Sequence, residues 1–512
     1  MNQSEQQTVS WWLDNKLGFD EAMLRDDTTA DVCVIGAGLS GLTTAYLLAK
    51  ENLRVVVLDA GTPTYGETSR TTAHLSNAID DRYYNIERWH GQDGAKIAAR
   101  AHTTAIDTIE RIAREENIDC EFTRLDGYLF PAPGESSHVL EQELEAAHRA
   151  GLVDVEFHPG PRGASFPSER CLRFPRQGQF NPLRYLDGLI RAIEAQESRI
   201  FANSRVVDIT EGDEIIVTTE NGYKVRCGSV VVATNSPIND RVALQTKIAP
   251  YRTYAIAARI RKGSAPKALL WDNADPYHYV RTAQSSETFD TLIIGGEDHK
   301  TGQESQTADR FGALERWARA HFPQIESVTH QWSGQVLETL DGLAYAGRNP
   351  GSSKNCYVIT GDSGMGMTHG TIGAMIVTDL IQGRANAWAD TFEPSRITLS
   401  AGLTFAKENF NVARQYLDWG RPSESEETAH PPANSGCVVQ RGVQKIALFH
   451  SADGIMHEMS AVCPHLGCIV HWNDTEHTWD CPCHGSRFNA TGDVIGGPAT
   501  SPLTPILSHA KT

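Results

Sequence analysis

The sequence predicts an α/β domain built on a parallel sheet, interrupted by a mainly antiparallel α+β layer, with a small all-β domain at the C-terminal end. Three observations predict it. Residues 31–59 read strand, glycine turn, helix, strand, and Asp59 closes the second strand. Helical stretches and alternating, strand-like stretches then follow one another as far as residue 420. Finally, four of the ten cysteines fall between residues 463 and 483, among short strands and turns.

The bulk properties agree with this division. A chain of 512 residues exceeds one ordinary core, so two or three domains are expected. With 40% hydrophobic and 21% charged residues the chain reads as globular. The formal net charge of −18 argues against nucleic acid as a partner. Residues 1–31 lack a basic start followed by an apolar run, and no stretch is long and apolar enough to span a bilayer. Cytoplasmic residence is the expectation. The other six cysteines are scattered, as reduced core cysteines are.

In order along the chain, strands are expected at 31–35 and 54–58 around a helix at 42–51. Helices follow near 94–116, 139–150 and 181–195, with alternating stretches at 205–209, 214–219 and 224–232. Residues 251–261 and 291–295 read as further strands. Residues 357–361 form a strand, followed by a glycine-rich loop and a helix at 369–381. A helix at 399–417 is expected to pack back on the body. Residues 421–435, rich in Ser, Glu and Pro, read as a linker between a first unit, 1–420, and a small β domain, 436–512. No internal repeat is present.

The turn Gly36-Ala37-Gly38-Leu39-Ser40-Gly41 is a dinucleotide fingerprint, which makes the first unit Rossmann-like. The first glycine makes the tight turn, Gly38 admits the pyrophosphate, and Gly41 lets helix pack on strand. The N–H groups at the helix start hold phosphate, and Asp59 stands where a carboxylate binds ribose hydroxyls. A glycine turn without a ligand is the alternative, but the flanking strand, helix and acid all fit the nucleotide reading. A second glycine loop, Gly361-Asp362-Ser363-Gly364-Met365-Gly366-Met367-Thr368, selects FAD over NAD. A helix N-terminus there faces the pyrimidine end of a flavin and stabilises its reduced anion. The strand end Ala233-Thr234-Asn235 adds a third flavin-type element.

With Asp59, residues 66–76, 230–235, 341–347 and 361–368 in this order, the first unit resembles the glycine oxidase and D-amino-acid oxidase superfamily. The resemblance implies further FAD contacts from Ala60, Arg70, Thr71, Thr72 and His74. It also implies oxidation of a C–N bond: a neutral amine gives hydride to the flavin and water hydrolyses the imine. His74 sits where some relatives attach flavin covalently; the expectation here is a noncovalent flavin. Amino-acid oxidases of this group tend to carry an arginine just before the Asp-Gly pair, where this chain has Trp332-Ser333-Gly334-Gln335-Val336-Leu337. A simple α-amino acid substrate is therefore in doubt. Arg252 and Arg281, with Tyr251, Tyr254 and Tyr279, are candidate substrate-binding and catalytic replacements, unless they are ordinary sheet residues. On the first view, Arg281→Ala raises KM strongly.

The strongest signal is Cys463-Pro464-His465-Leu466-Gly467-Cys468 paired with Cys481-Pro482-Cys483-His484-Gly485-Ser486. A Rieske [2Fe–2S] cluster needs two cysteines on one iron and two histidines on the other. Cys463 and Cys481 fit the first iron, His465 and His484 the second. A structural zinc uses the same donor set but favours Cys-x-x-Cys and His-x3-His spacings. Residues 436–512 resemble Rieske proteins of the cytochrome bc-complex type. The resemblance implies a Cys468–Cys483 disulfide and a proline loop at 496–499. Such proteins place a serine and a tyrosine against the cluster sulfurs. Ser486 is present, whereas the tyrosine position is Phe488, which implies a lower reduction potential.

A flavin takes electrons in pairs and a Rieske cluster passes them singly. The expected enzyme is therefore a dehydrogenase of an amine or amino-acid-like substrate. Its electrons run from FAD through the cluster to an external one-electron acceptor, a redox protein or a quinone. The whole arrangement resembles bacterial FAD-dependent oxidoreductases with a Rieske domain. The stretches 292–302 and 179–182 look characteristic of that group; each either lines the flavin or is a plain loop. Two rivals remain at this stage: reverse flow from cluster to flavin in a reductase or monooxygenase, and a non-catalytic redox sensor.

Overall fold

The computed structural model describes residues 8–14, 18, 22–134, 138–163, 170–239, 244–303, 308–352, 355–420, 424–425 and 430–506. Among them, Thr28–Ile35 lies inside an eight-stranded sheet, parallel to Val55–Leu58 on one side and Lys224–Val232 on the other. Its run of Val, Cys and Ile is buried on both faces, as a parallel strand covered by helices requires. The register sets Ile35 beside both Leu58 and Val232. Cys356–Thr360 continues the sheet in parallel beside Lys224–Val232. The strands therefore end along one edge, where an open α/β sheet binds its ligand. The helices Leu39–Lys50 and Gly366–Ile381 both start at that edge.

A second, nine-stranded sheet is mixed but mainly antiparallel. Ile248–Arg261 lies between Ser327–Thr339 and Phe289–Lys300, and His278–Gln284 follows. The strand Ser327–Thr339 was not legible in the sequence, because Thr329, His330, Gln331, Ser333, Gln335 and Glu338 break up any apolar alternation. The helix expected at 94–116 is instead Tyr83–Glu115, broken at Gly91, which takes a φ of +71°.

Two four-stranded sheets make up the C-terminal domain. The expected linker is not wholly separate from it, since Glu424–Ser425 pairs in parallel with Val439 and Gln440. Linker residues 421–423 and 426–429 lie outside the described residues. The helix Gly402–Gln415 bridges the two parts. Asn409 Nδ2 donates to the Thr246 carbonyl at 3.0 Å. Just beyond the helix, the Tyr416 hydroxyl donates to the Leu466 carbonyl and Trp419 Nε1 to that of Gly467. No described helix is long and apolar enough to cross a membrane.

Candidate active site and iron–sulfur centre

A cavity of about 1090 Å³ runs from the ends of the parallel strands to the C-terminal domain. Gly36, Gly38, Leu39, Ser40, Asp59, Ala60, Arg70, Thr71, Thr72 and His74 line it, as do Ala233, Thr234, Gly361, Gly364, Met365, Gly366 and Met367. The glycines are needed sterically. A Cβ on Gly36 would stand 2.4 Å from the Ala233 carbonyl oxygen, and one on Gly41 would stand 1.9 Å from that of Gly36. The helix Leu39–Lys50 begins at Gly38, which has no side chain to cap it; Leu39 N donates to Thr68 Oγ1 at 3.1 Å, and the N–H groups that follow suit a phosphate. The cradle thus fits a flavin dinucleotide. Three expected contacts stand behind the wall. Ala37 N donates to Asp59 Oδ2 at 2.7 Å, Gly41 packs helix on strand, and Thr368 Oγ1 bonds His102 Nδ1.

Trp271, Tyr277, Tyr279, Thr253 and Asp80 form the wall contributed by the second sheet and the segment before the long helix. Of the substrate-binding and catalytic candidates only Tyr279 is among these lining residues. Its hydroxyl lies 2.7 Å from Thr253 Oγ1. Arg252 is fully buried and turned to the C-terminal domain, against Ser333 and Glu476. Arg281 donates to three backbone carbonyls, those of Thr72, Ala73 and Phe180, and so buttresses the 70–76 loop from behind. Lys300 sits over the Tyr251 ring, and Tyr254 bonds His299. Neither arginine is among the residues lining the cavity, and each donates to acceptors elsewhere in the protein. The wall residues Asp80, Trp271 and Tyr277 went unread, since each looks like an ordinary sheet or turn residue until the fold brings them together.

The stretches 179–182 and 292–302 do not line the cavity either. Asn181 caps the helix Pro182–Glu194, and the Phe180 carbonyl accepts from Arg281. Gly302 lies against Pro482, where a Cβ would stand 2.9 Å from the Pro482 nitrogen. Its role is close approach to the cluster loop.

In the C-terminal domain the two loops are near-copies. Cys463 N donates to Cys468 O and Cys481 N to Ser486 O, both at 2.8 Å, while Gly467 N and Gly485 N fold back to the Cys463 and Cys481 carbonyls. Both glycines take positive φ, +80° and +77°. The pairing brings the His465 and His484 rings to 5.1 Å at 89° to one another. A disulfide joins Cys468 to Cys483 with Cα atoms 6.4 Å apart. Burial, together with the neighbouring His465, lowers the His484 pKa to about 4, so its imidazole is neutral. Its Nδ1 is buried without a hydrogen-bond partner, which fits a metal ligand. Ser486 Oγ accepts from Ala499 N, tying the 496–499 loop over the site. Phe488 is fully buried beneath it.

The two centres meet across a buried polar seam. Gln335 lines the flavin cavity, and its Nε2 donates to the Gly485 carbonyl at 2.9 Å. Glu476 is held by Ser333, Thr8, Arg70 and Arg252. Burial opposes its ionisation, but Arg70, Arg252 and Arg487 outweigh burial and hold its pKa below the usual value.

Fold and site define a flavin oxidoreductase carrying its own Rieske centre. Residues 31–380 match the family of FAD-dependent oxidoreductases of the DAO type, and residues 425–507 match the Rieske [2Fe-2S] domain; the chain belongs to that oxidoreductase family. A protein of Bacillus subtilis (strain 168) described as a Rieske 2Fe-2S iron-sulfur protein, YhfW, is 32% identical over 490 residues, covering 94% of each chain. Gamma-glutamylputrescine oxidoreductase of Escherichia coli (strain K12) is 26% identical over 373 residues, 71% of this chain and 86% of that one. The crystal structure of glycine oxidase from Geobacillus kaustophilus shares the fold, with a TM-score of 0.62 at 19% identity over 72% of this chain and 99% of that one.

Proposed function

We propose that the protein is an FAD-dependent dehydrogenase that oxidises a C–N bond of an amine and passes the electrons through its Rieske cluster to an external one-electron acceptor. The observation that carries this reading is a cavity lined by both domains, with Gln335 reaching from it to the residue after His484. When bound, FAD accepts a hydride and the [2Fe–2S] cluster transfers single electrons. The protein's own residues hold and shield these groups. The glycine edge receives the dinucleotide, Asp59 stands at the ribose, and the C-terminal domain closes the cavity from above through His477, Thr478, Gly496 and Gly497. Cys463, Cys481, His465 and His484 are the proposed cluster ligands. The likeness to an oxidoreductase named for gamma-glutamylputrescine supports an amine substrate.

Anaerobic absorbance during addition of amines, N-methyl amino acids and amino acids tests the reading. Bleaching of the flavin band and then the cluster band by one compound is expected. Reduction by dithionite without bleaching by any compound in the panel would overturn it and favour reverse flow or sensing.

A further inference from the structure

The cavity wall facing the second glycine loop carries three aromatic rings and one carboxylate. The rings are pinned. Trp271 lies over Gly127, where a Cβ would meet the ring at 2.4 Å, and Tyr279 lies over Gly295, where one would meet it at 2.2 Å. Tyr277 tilts against Tyr279 with ring centroids 5.3 Å apart. The Tyr277 hydroxyl donates to Asp80 Oδ2 at 3.1 Å. That same oxygen abuts Gly364, where a Cβ would stand 2.1 Å away, so Asp80 sits directly against the flavin loop.

Arg82 stands behind Asp80, donating to its carbonyl, and does not line the cavity. Among the described residues the cavity's arginines are Arg70, Arg205 and Arg487, and no lysine lines it. Arg70 donates to Ser333 O, Arg205 to Val494 O, and Arg487 pairs with Asp480. His74 and His369 are neutral, since burial lowers their pKa values to about 3 and about 4. Behind the wall, burial raises the pKa values of Asp81, Asp298 and Glu338, and the neighbouring Asp80, itself raised by burial, raises each of them further. An anionic carboxylate on the substrate would find no lysine in the cavity, and only arginines that already donate to acceptors of the protein. An alkylammonium would find both a carboxylate and π faces.

We infer that the substrate is an alkylammonium compound without an α-carboxylate, its cationic nitrogen held by Asp80 against Trp271, Tyr277 and Tyr279. This rests on the proposed reading of the cavity as an amine dehydrogenase site.

The test titrates the FAD-loaded enzyme with n-butylammonium chloride and with sodium butyrate, ligands of similar size and opposite charge, following the flavin absorbance. Saturable perturbation by n-butylammonium and none by butyrate at the same concentrations is expected. Asp80→Asn should weaken n-butylammonium by about tenfold or more, and Asp80→Glu should restore part of the affinity. Butyrate binding as tightly as the amine, or an unchanged Kd in Asp80→Asn, overturns the inference, and the wild-type comparison needs no variant to fold. If n-butylammonium binds as expected yet no amine reduces the flavin, the inference stands and the dehydrogenase reading falls. If only α-amino acids reduce the flavin, the reading stands and the inference falls.

Discussion

Gln335 Nε2 donates a 2.9 Å hydrogen bond to the carbonyl oxygen of Gly485, joining the wall of the flavin cavity to the residue that follows the proposed cluster ligand His484. The contact is tight on both sides. A Cβ on Gly485 would stand 2.4 Å from Gln335 Nε2 and 2.6 Å from Pro250 Cβ. The two redox sites thus meet at a side-chain contact between the flavin cavity and a cluster loop.

Replacing Gln335 by Leu should therefore uncouple the centres without disturbing either. Flavin photoreduced by a laser flash should form as in the wild type, while bleaching of the cluster slows by roughly tenfold or more, because a small displacement at a docked site is costly. The EPR spectrum of the reduced cluster should remain that of a Rieske centre. Transfer at the wild-type rate would remove Gln335 from the route.

Glu476 predicts how firmly the domains are docked. Glu476→Gln keeps the shape but leaves Arg252, fully buried, and Arg70 without their countercharge. The expected loss is about 3 kcal/mol, read from urea unfolding of the FAD-loaded protein. Limited proteolysis between residues 420 and 435 should accelerate in the same variant.

The same residue sets a pH dependence. Its pKa in the folded protein lies below the ordinary 4.5, so the unfolded chain takes up its proton first as pH falls. The contribution to stability is fully present above pH 4.5 and declines as pH drops below that value toward the folded pKa. Unfolding midpoints measured from pH 7 down to pH 3.5 should fall faster in the wild type than in Glu476→Gln.

Phe488 is buried below the cluster loops where bc-type proteins place a tyrosine. Phe488→Tyr adds a hydroxyl donor toward the cluster sulfurs, which favours the more negative, reduced cluster. A gain of about 1.5 kcal/mol corresponds to roughly 60 mV for one electron. Redox titration followed by EPR should show the potential rising; an unchanged or lower value would refute the assignment of this position.

His74 bears on the flavin linkage. It lines the cavity with Nδ1 3.0 Å from Thr72 Oγ1, and burial followed by Arg281 lowers its pKa to about 3. Release of all the flavin into the supernatant on acid precipitation is expected for a noncovalent cofactor. Retention of yellow colour in the pellet would instead assign His74 as the attachment point.

Local chemistry made part of this protein legible from sequence. The fingerprint from Gly36 to Gly41, the second loop from Gly361 to Thr368 and the two cysteine–histidine loops each work over a few consecutive residues, so spacing alone determined them. The disulfide followed from the resemblance to Rieske proteins of the cytochrome bc-complex type, and the structure forms it. What only the tertiary structure decided depends on partners distant in the chain. Arg252 and Arg281 read either as candidate substrate cations or as ordinary sheet residues, and folding set Arg252 beside Glu476, 224 residues away, and Arg281 beneath the Thr72 and Ala73 carbonyls. Asp80, Tyr277 and Trp271 became one wall in the same way, and Gln335 met Gly485 across 150 residues. A buried charge or amide must find its partner within a few ångströms, and which partner stands there is a property of the packed chain, not of its neighbours in sequence.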